Sequence, residues 1–197
     1  MTTDTKARRQ PIYRGKVVDL GLETVDLPNG ESAELEIIRH PGGAAVVARD
    51  DQGQICLLRQ YRHASGSWLW ELPAGKLEPD ESPAVTARRE LAEEAGVEAD
   101  RWTDLGTLHS SPGVLTEVIH LYLAEGLRWC ATHDHETHEV IEIHWLPFEQ
   151  TLDLCRDGTI TDAKTLIGLF RAQAIGGKPE LPNDNSIESN GLSISDA

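Results

Sequence analysis

The sequence predicts a mixed α/β chain of the α+β kind, with one mixed sheet flanked by helices and a small antiparallel β module ahead of it. Three observations predict this. Strand-like and helix-like stretches mix without the regular βαβ alternation that a wholly parallel sheet requires. The stretch 82–96 carries the start and stop signals of a single helix and lies between strand-like runs. Three short alternating runs precede the first continuous apolar run, Ala44–Ala48.

Taken in order, Met1 to about Gln10 is polar and reads as a disordered end. Ile12–Asp19, Gly21–Leu27 and Ala33–Arg39 alternate as strands do, and Pro28-Asn29-Gly30 turns the last two. So small a sheet needs a surface to lean on, either the main domain or a second subunit. This sets 11–40 apart as a module. Pro41-Gly42-Gly43 breaks the chain, and 41–175 forms the main domain. Ala44–Ala48 is a buried strand, Asp50–Gly53 a turn, and Ile55–Tyr61 the returning strand. Trp68–Pro73 is a further strand that delivers Ala74-Gly75 to the helix. Beyond the helix, Trp102–His109 reads as a strand, Ser110–Gly113 as a loop and Glu117–Ala124 as a buried strand, with Leu127–Cys130 placed to pair with a neighbour. His133–Glu139 is a polar loop and Val140–Trp145 an alternating strand. Phe148–Arg156 and Asp162–Ala174 read as helices about the Asp157-Gly158 turn, the second capped by Thr161. Residues 176–197, rich in Gly, Pro, Asn and Ser, read as a disordered tail.

Composition narrows the function. A formal net charge of −15 over 197 residues disfavours nucleic acid and anionic membranes as partners, since either would be repelled. An anionic substrate must then be met by local arginines or by a bound cation. Cys56, Cys130 and Cys155 are odd in number and widely spaced, so they form neither a disulfide framework nor a zinc site, and they suit a reducing cytoplasm. The chain shows no apolar run of membrane-spanning length and no apolar signal-peptide core near Met1.

The stretch that organises the chain is Gly75–Val97. Ser82 is placed to cap its helix, Pro83 to open it and Gly96 to end it in a left-handed turn. Ala84, Ala87, Arg88, Leu91 and Ala95 form an inward stripe. Glu90, Glu93 and Glu94 crowd another face, although like charges at i,i+4 cost a helix about 0.2–0.5 kcal/mol per pair. Only Arg89, at i,i+4 from Glu93, is placed to answer them. Such a cluster suits a hard divalent cation, since Mg²⁺ takes one or two carboxylates together with substrate phosphate oxygens.

The same stretch satisfies G-x₅-E-x₇-R-E-U-x-E-E-x-G-U, with U a bulky aliphatic residue, at Gly75, Glu81, Arg89, Glu90, Leu91, Glu93, Glu94, Gly96 and Val97. A chance match is rarer than about one in a million at average residue usage. This is the Nudix box, and the chain resembles a Nudix hydrolase. The resemblance implies an α/β/α sandwich and metal-dependent attack of water on a diphosphate joined to a nucleoside. It makes Glu90 and Glu94 the main ligands of Mg²⁺ (or Mn²⁺), supported by Glu93 and by the backbone carbonyl of Ala74. Arg89 would orient Glu93 or Glu90, while Gly75 and Gly96 allow tight backbone at either end of the helix.

Three features outside the box resemble the ADP-ribose pyrophosphatase branch. Pro112, in Ser110-Ser111-Pro112-Gly113, lies 15 residues beyond Val97 (112 − 97). The segment ending in Asp157-Gly158-Thr159-Ile160-Thr161-Asp162-Ala163-Lys164 resembles that branch's closing helix. The N-terminal β module resembles one that in the family exchanges across a homodimer. By this likeness Pro112 and Gly113 belong to the substrate site, Arg62 meets a phosphate, and Glu71 reaches the site from before the box. Glu139 is the remaining carboxylate, as metal ligand or as base. The family's D-E-x-E pattern would put a second acid at Thr137, so Glu136 or Asp134 could stand in. Trp68 or Trp70 could stack on a base or ribose, although a tryptophan in such a strand is more often core.

The implied substrate is a small nucleoside diphosphate, ADP-ribose first, with ADP-glucose and GDP-mannose as alternatives. A Nudix-like sensor that binds ADP-ribose without cutting it is the alternative of another class, and the intact acidic cluster speaks against it. A zinc site at His133, His135 and His138 fails on spacing, because H-E-x-x-H needs histidines four apart and His135 and His138 are three apart.

Overall fold

A computed structural model describes residues 8–130 and 140–175. Strands β1 (Arg8–Arg14), β2 (Asp19–Asp26) and β3 (Ser32–Arg39) form an antiparallel sheet in that order. The first strand therefore begins at Arg8, within the end read as disordered, and 15–18 is its turn rather than strand. The reason is local: Gly15 N–H closes the turn on Val18 O at 2.8 Å, and Arg9 pairs with Asp19 and Glu23 across the sheet. The Pro28–Gly30 turn is as expected, with Gly30 at φ 86°.

The main domain holds β4 (Gly43–Ala48), β5 (Gln54–Arg62), β6 (Ser67–Glu71), β7 (Ala74–Lys76), α1 (Pro83–Ala95), β8 (Val97–His109), β9 (Val118–Trp129), β10 (Ile141–Pro147), α2 (Phe148–Arg156) and α3 (Ala163–Ala174). Four strands run in the order β7-β4-β9-β8, and β4 lies parallel to β9 while the other pairs are antiparallel. A second sheet runs β10-β5-β6. The first of these is the expected mixed sheet, and the second, wholly antiparallel, is an addition to it. Leu127–Trp129 pairs with a neighbour as expected, and it does so as the end of β9, opposite Val97–Ala99 of β8.

The burial of β4 explains the layering. All six of its residues are buried, and its side chains alternate between two cores, as a strand covered on both faces must. Ala44, Val46 and Ala48 join Ala87, Leu91 and Ala95 of α1, together with Trp102 and Tyr122. Ala45 and Val47 join Leu72, Leu121, Leu152 and Leu169 under α2 and α3. This is helix, sheet and helix in three layers. Asp162, not Thr161, caps α3, since its carboxylate accepts from Thr165 N–H at 3.0 Å and from the Thr165 hydroxyl at 2.6 Å.

The N-terminal module meets the domain through a few polar links. Ile38 N–H donates to Val114 O at 2.8 Å, Thr116 N–H donates to Ile38 O at 3.0 Å, and His40 N–H donates to Thr116 Oγ1 at 3.0 Å. Ile12, Tyr13, Val17, Val18 and Leu35 remain exposed.

Candidate active site

Helix α1 forms for the reasons legible in its residues. Ser82 accepts from Val85 N–H, Pro83 occupies the first turn, and Gly96 takes φ 65°. Ala87, Leu91 and Ala95 bury the inward stripe, while Arg88 leaves it to lie 5.2 Å over the Trp102 ring. The acidic face is not a solvated one. Glu94 is 4% exposed, and its Oε2 accepts from Ala74 N–H at 2.7 Å. The Glu90 carboxylate lies so close over Gly75 that a Cβ there would meet its Oε1 at 1.7 Å. Gly75 is therefore required by close approach and not by backbone angle.

Arg89 binds this face together. It donates to Glu90 at 2.7 Å, to Glu93 at 2.9 Å, and to both oxygens of Glu81 at 3.0 Å. Its own pKa rises, chiefly through the Glu81 hydrogen bonds. In return those bonds, with help from the Thr86 hydroxyl, hold Glu81 to about 2. One arginine thus answers three carboxylates of the box, each a charge-assisted hydrogen bond.

The acidic face forms one wall of a cleft of about 450 Å³. Ala74, Gly75, Arg89, Glu90, Glu93 and Glu94 line it, and Arg62 lines it from the end of β5. Glu71, with a side chain 3% exposed, sits behind that wall. It accepts from Arg62 Nε at Oε1 and from Arg62 Nη2 at Oε2, both at 2.8 Å, and from Lys164 Nζ at 2.6 Å. Burial by itself would raise the Glu71 pKa, but the Arg62 hydrogen bond and the Lys164 charge bring it down to about 2.

Other expected residues fall elsewhere. Pro112 and Gly113 are exposed, outside the cleft lining, in the loop that bonds to β3. Trp68 and Trp70 are also outside it: Trp68 packs against Arg59 and Tyr61, and Trp70 against His144. Gly96 ends the helix and accepts from Cys130 N–H at 3.0 Å, away from the cleft lining. Glu136 and Glu139, with Asp134, Thr137 and the three histidines, lie outside the described residues. The sequence reading passed over Glu78, Glu117, Asp162 and Lys164, which the fold brings to the cleft. None of them lies in a strand: Glu78 and Glu117 are in loops and Asp162 and Lys164 at the start of α3, so only the tertiary fold shows which side they face. Glu117 Oε1 is 3.1 Å from His40 Nδ1, which also accepts from Gly42 N–H at 3.1 Å.

Among the described residues, no three acidic, histidine or cysteine side chains converge closely enough to cage an ion unaided. The donor set still fits a hard divalent cation. It is all oxygen, two of its carboxylates are withdrawn from solvent, and Mg²⁺ ordinarily completes its shell with water and phosphate rather than with a protein cage.

The family model of the NUDIX domain matches residues 39–167. The chain belongs to the Nudix family. This Nudix chain is 39% identical over 158 residues to an "ADP-ribose pyrophosphatase" of Bacillus subtilis (strain 168), covering 80% of itself and 85% of that relative. It is also 39% identical over 165 residues to a "Methanol dehydrogenase activator" of Bacillus methanolicus, covering 82% and 88%. Its fold matches the solved structure titled "Crystal structure of ADP compounds hydrolase" with a TM-score of 0.72 at 22% identity, over 86% of this chain and 94% of that one.

Proposed function

We propose that this Nudix hydrolase splits ADP-ribose into AMP and ribose 5-phosphate in the cytoplasm, with Mg²⁺ or Mn²⁺ as its cofactor. The observation that carries the reading is the cleft itself: the carboxylates of α1 on one wall, Glu94 buried among them, and the guanidinium of Arg62 on another. Glu90, Glu94 and the Ala74 carbonyl would hold the cation, with Glu93 in support. When bound, it would neutralise the diphosphate and lower the pKa of an attacking water. Arg89 orients Glu90 and Glu93 through its hydrogen bonds. Arg62, its Nε edge fixed on Glu71, turns its remaining N–H groups to a phosphate oxygen. Glu139, with Glu136 as the other candidate, would take the water's proton.

The relatives support the substrate class, since one of them is named for ADP-ribose. The exposed apolar residues of the N-terminal module support a homodimer, because they give a second copy a surface to cover. Turnover of a panel holding ADP-ribose, ADP-glucose and GDP-mannose, with Mg²⁺ or Mn²⁺ and products separated by chromatography, tests the reading. ADP-ribose should be cleaved fastest, to AMP and ribose 5-phosphate. Faster cleavage of either sugar nucleotide overturns the substrate, and binding of ADP-ribose without cleavage overturns the enzyme.

A further inference from the structure

Lys164 has no part in the box, yet it lines the cleft with a side chain only 14% exposed. Its Nζ donates to Glu71 Oε2 at 2.6 Å and to Asp162 Oδ1 at 3.0 Å. Arg62 alone would neutralise Glu71, so a second cation on that carboxylate needs a reason. Asp162 balances the charge, and two cations alternate with two carboxylates. The far side of this chain of bonds is anchored in the fold. Asp162 Oδ2 holds Thr165, and the Thr165 hydroxyl accepts from Leu72 N–H at 2.9 Å. The start of α3 is thereby fastened to the segment that follows Glu71.

The geometry at Glu71 is what gives Lys164 an effect on the cleft. Arg62 spends its Nε and Nη2 edge on the two oxygens of Glu71. That leaves Nη1 and one N–H of Nη2 on the edge away from Glu71, and the residue is half-exposed in the cleft. The plane of the guanidinium follows the plane of the carboxylate, and a carboxylate held by a bidentate partner alone can still rock about its last bond. Lys164, bonding the oxygen that also holds Arg62 Nη2, removes that freedom.

We propose that Lys164 is a positioning residue for Arg62, acting through the buried carboxylate of Glu71 to set the edge of the guanidinium that meets the substrate. This rests on the reading of Arg62 as a phosphate contact. It assigns the start of α3 a part in substrate recognition that its sequence does not announce.

The test is a double-mutant cycle on the full chain, read by calorimetric binding of a methylene-bridged ADP-ribose that cannot be cleaved. Lys164→Met should weaken binding about tenfold, Arg62→Ala by at least as much, and the two together no more than Arg62→Ala alone. Lys164→Arg should restore most of the loss, and thermal melting of Lys164→Met should fall by several degrees, as expected for losing one of the two cations on Glu71, with the protein still folded at the binding temperature. Unchanged binding in Lys164→Met overturns the proposal, and so do losses that add in the double variant, since Lys164 would then act without Arg62. Should Lys164→Met fail to fold, Lys164→Gln carries the same comparison. Failure of the substrate reading looks different, as wild-type protein that neither cleaves ADP-ribose nor binds the analogue. The cycle is then run with methylenediphosphonate, which keeps only the bridged phosphates.

Discussion

Glu90 and Gly75 show at the scale of one residue how the box couples backbone to chemistry. The carboxylate occupies the space that any side chain at 75 would need. Because the clashing atoms are the end of a flexible side chain, Gly75→Ala should cost little stability and should displace Glu90 instead. We expect melting within a few degrees of wild type and Mn²⁺ affinity reduced about tenfold or more, measured by calorimetry. A large fall in melting temperature with metal affinity intact would contradict this role.

Glu71 makes a second prediction at this scale. Its folded pKa is depressed from 4.5 to about 2, so its ion pairs stabilise the fold fully above the ordinary carboxylate range. That contribution, on the order of 3 kcal/mol, is lost as pH falls from about 4.5 through about 2. In denaturant titrations the stability gap between wild type and Glu71→Gln should narrow over that window. A gap that stays constant would mean that the carboxylate is not ionised in its pairs.

Among the elements, α1 was legible almost to the residue, because Ser82, Pro83 and Gly96 are local signals and the stripe Ala87, Leu91, Ala95 is a single-helix pattern. The burial of Glu94 was not. Which face of a helix a sheet covers is a tertiary fact, and it depends here on β7 passing beneath the carboxylates. The shift of the α3 cap from Thr161 to Asp162 has the same kind of cause, since Asp162 is held by Lys164 and Thr165 together. Strand ends were the least legible. The reach of β9 to Trp129 depends on pairing with Val97, more than thirty residues away in the chain. Helix α3 also supplies a test. Gly168 lets it close on the sheet, and a Cβ there would come within 2.8 Å of Leu72 Cδ1 and 3.2 Å of Val47 Cγ2. Gly168→Ala should therefore destabilise the domain by about 1–3 kcal/mol in chemical denaturation, despite the better helix propensity of alanine. A stabilised variant would show that the contact has room to relax.

The whole molecule divides between a domain with two well-filled cores and a module whose strands carry apolar side chains into solvent. The sequence marks the module as too small to stand alone, and among the described residues backbone hydrogen bonds at Ile38 and His40 link it to the domain. Val17, from its first turn, nevertheless reaches the cleft. If the proposed homodimer forms through this module, deleting residues 1–39 should leave a monomer in sedimentation and weaken substrate binding; a deletion variant that is dimeric would place the interface elsewhere.

On the proposed reading, a cation and a diphosphate meet on the acidic edge of α1. Anomalous scattering from manganese in crystals grown with the methylene-bridged ADP-ribose tests it most directly. Manganese should lie against Glu90 and Glu94, with the bridged phosphates between it and Arg62. Manganese and ligand bound away from those two carboxylates would contradict it.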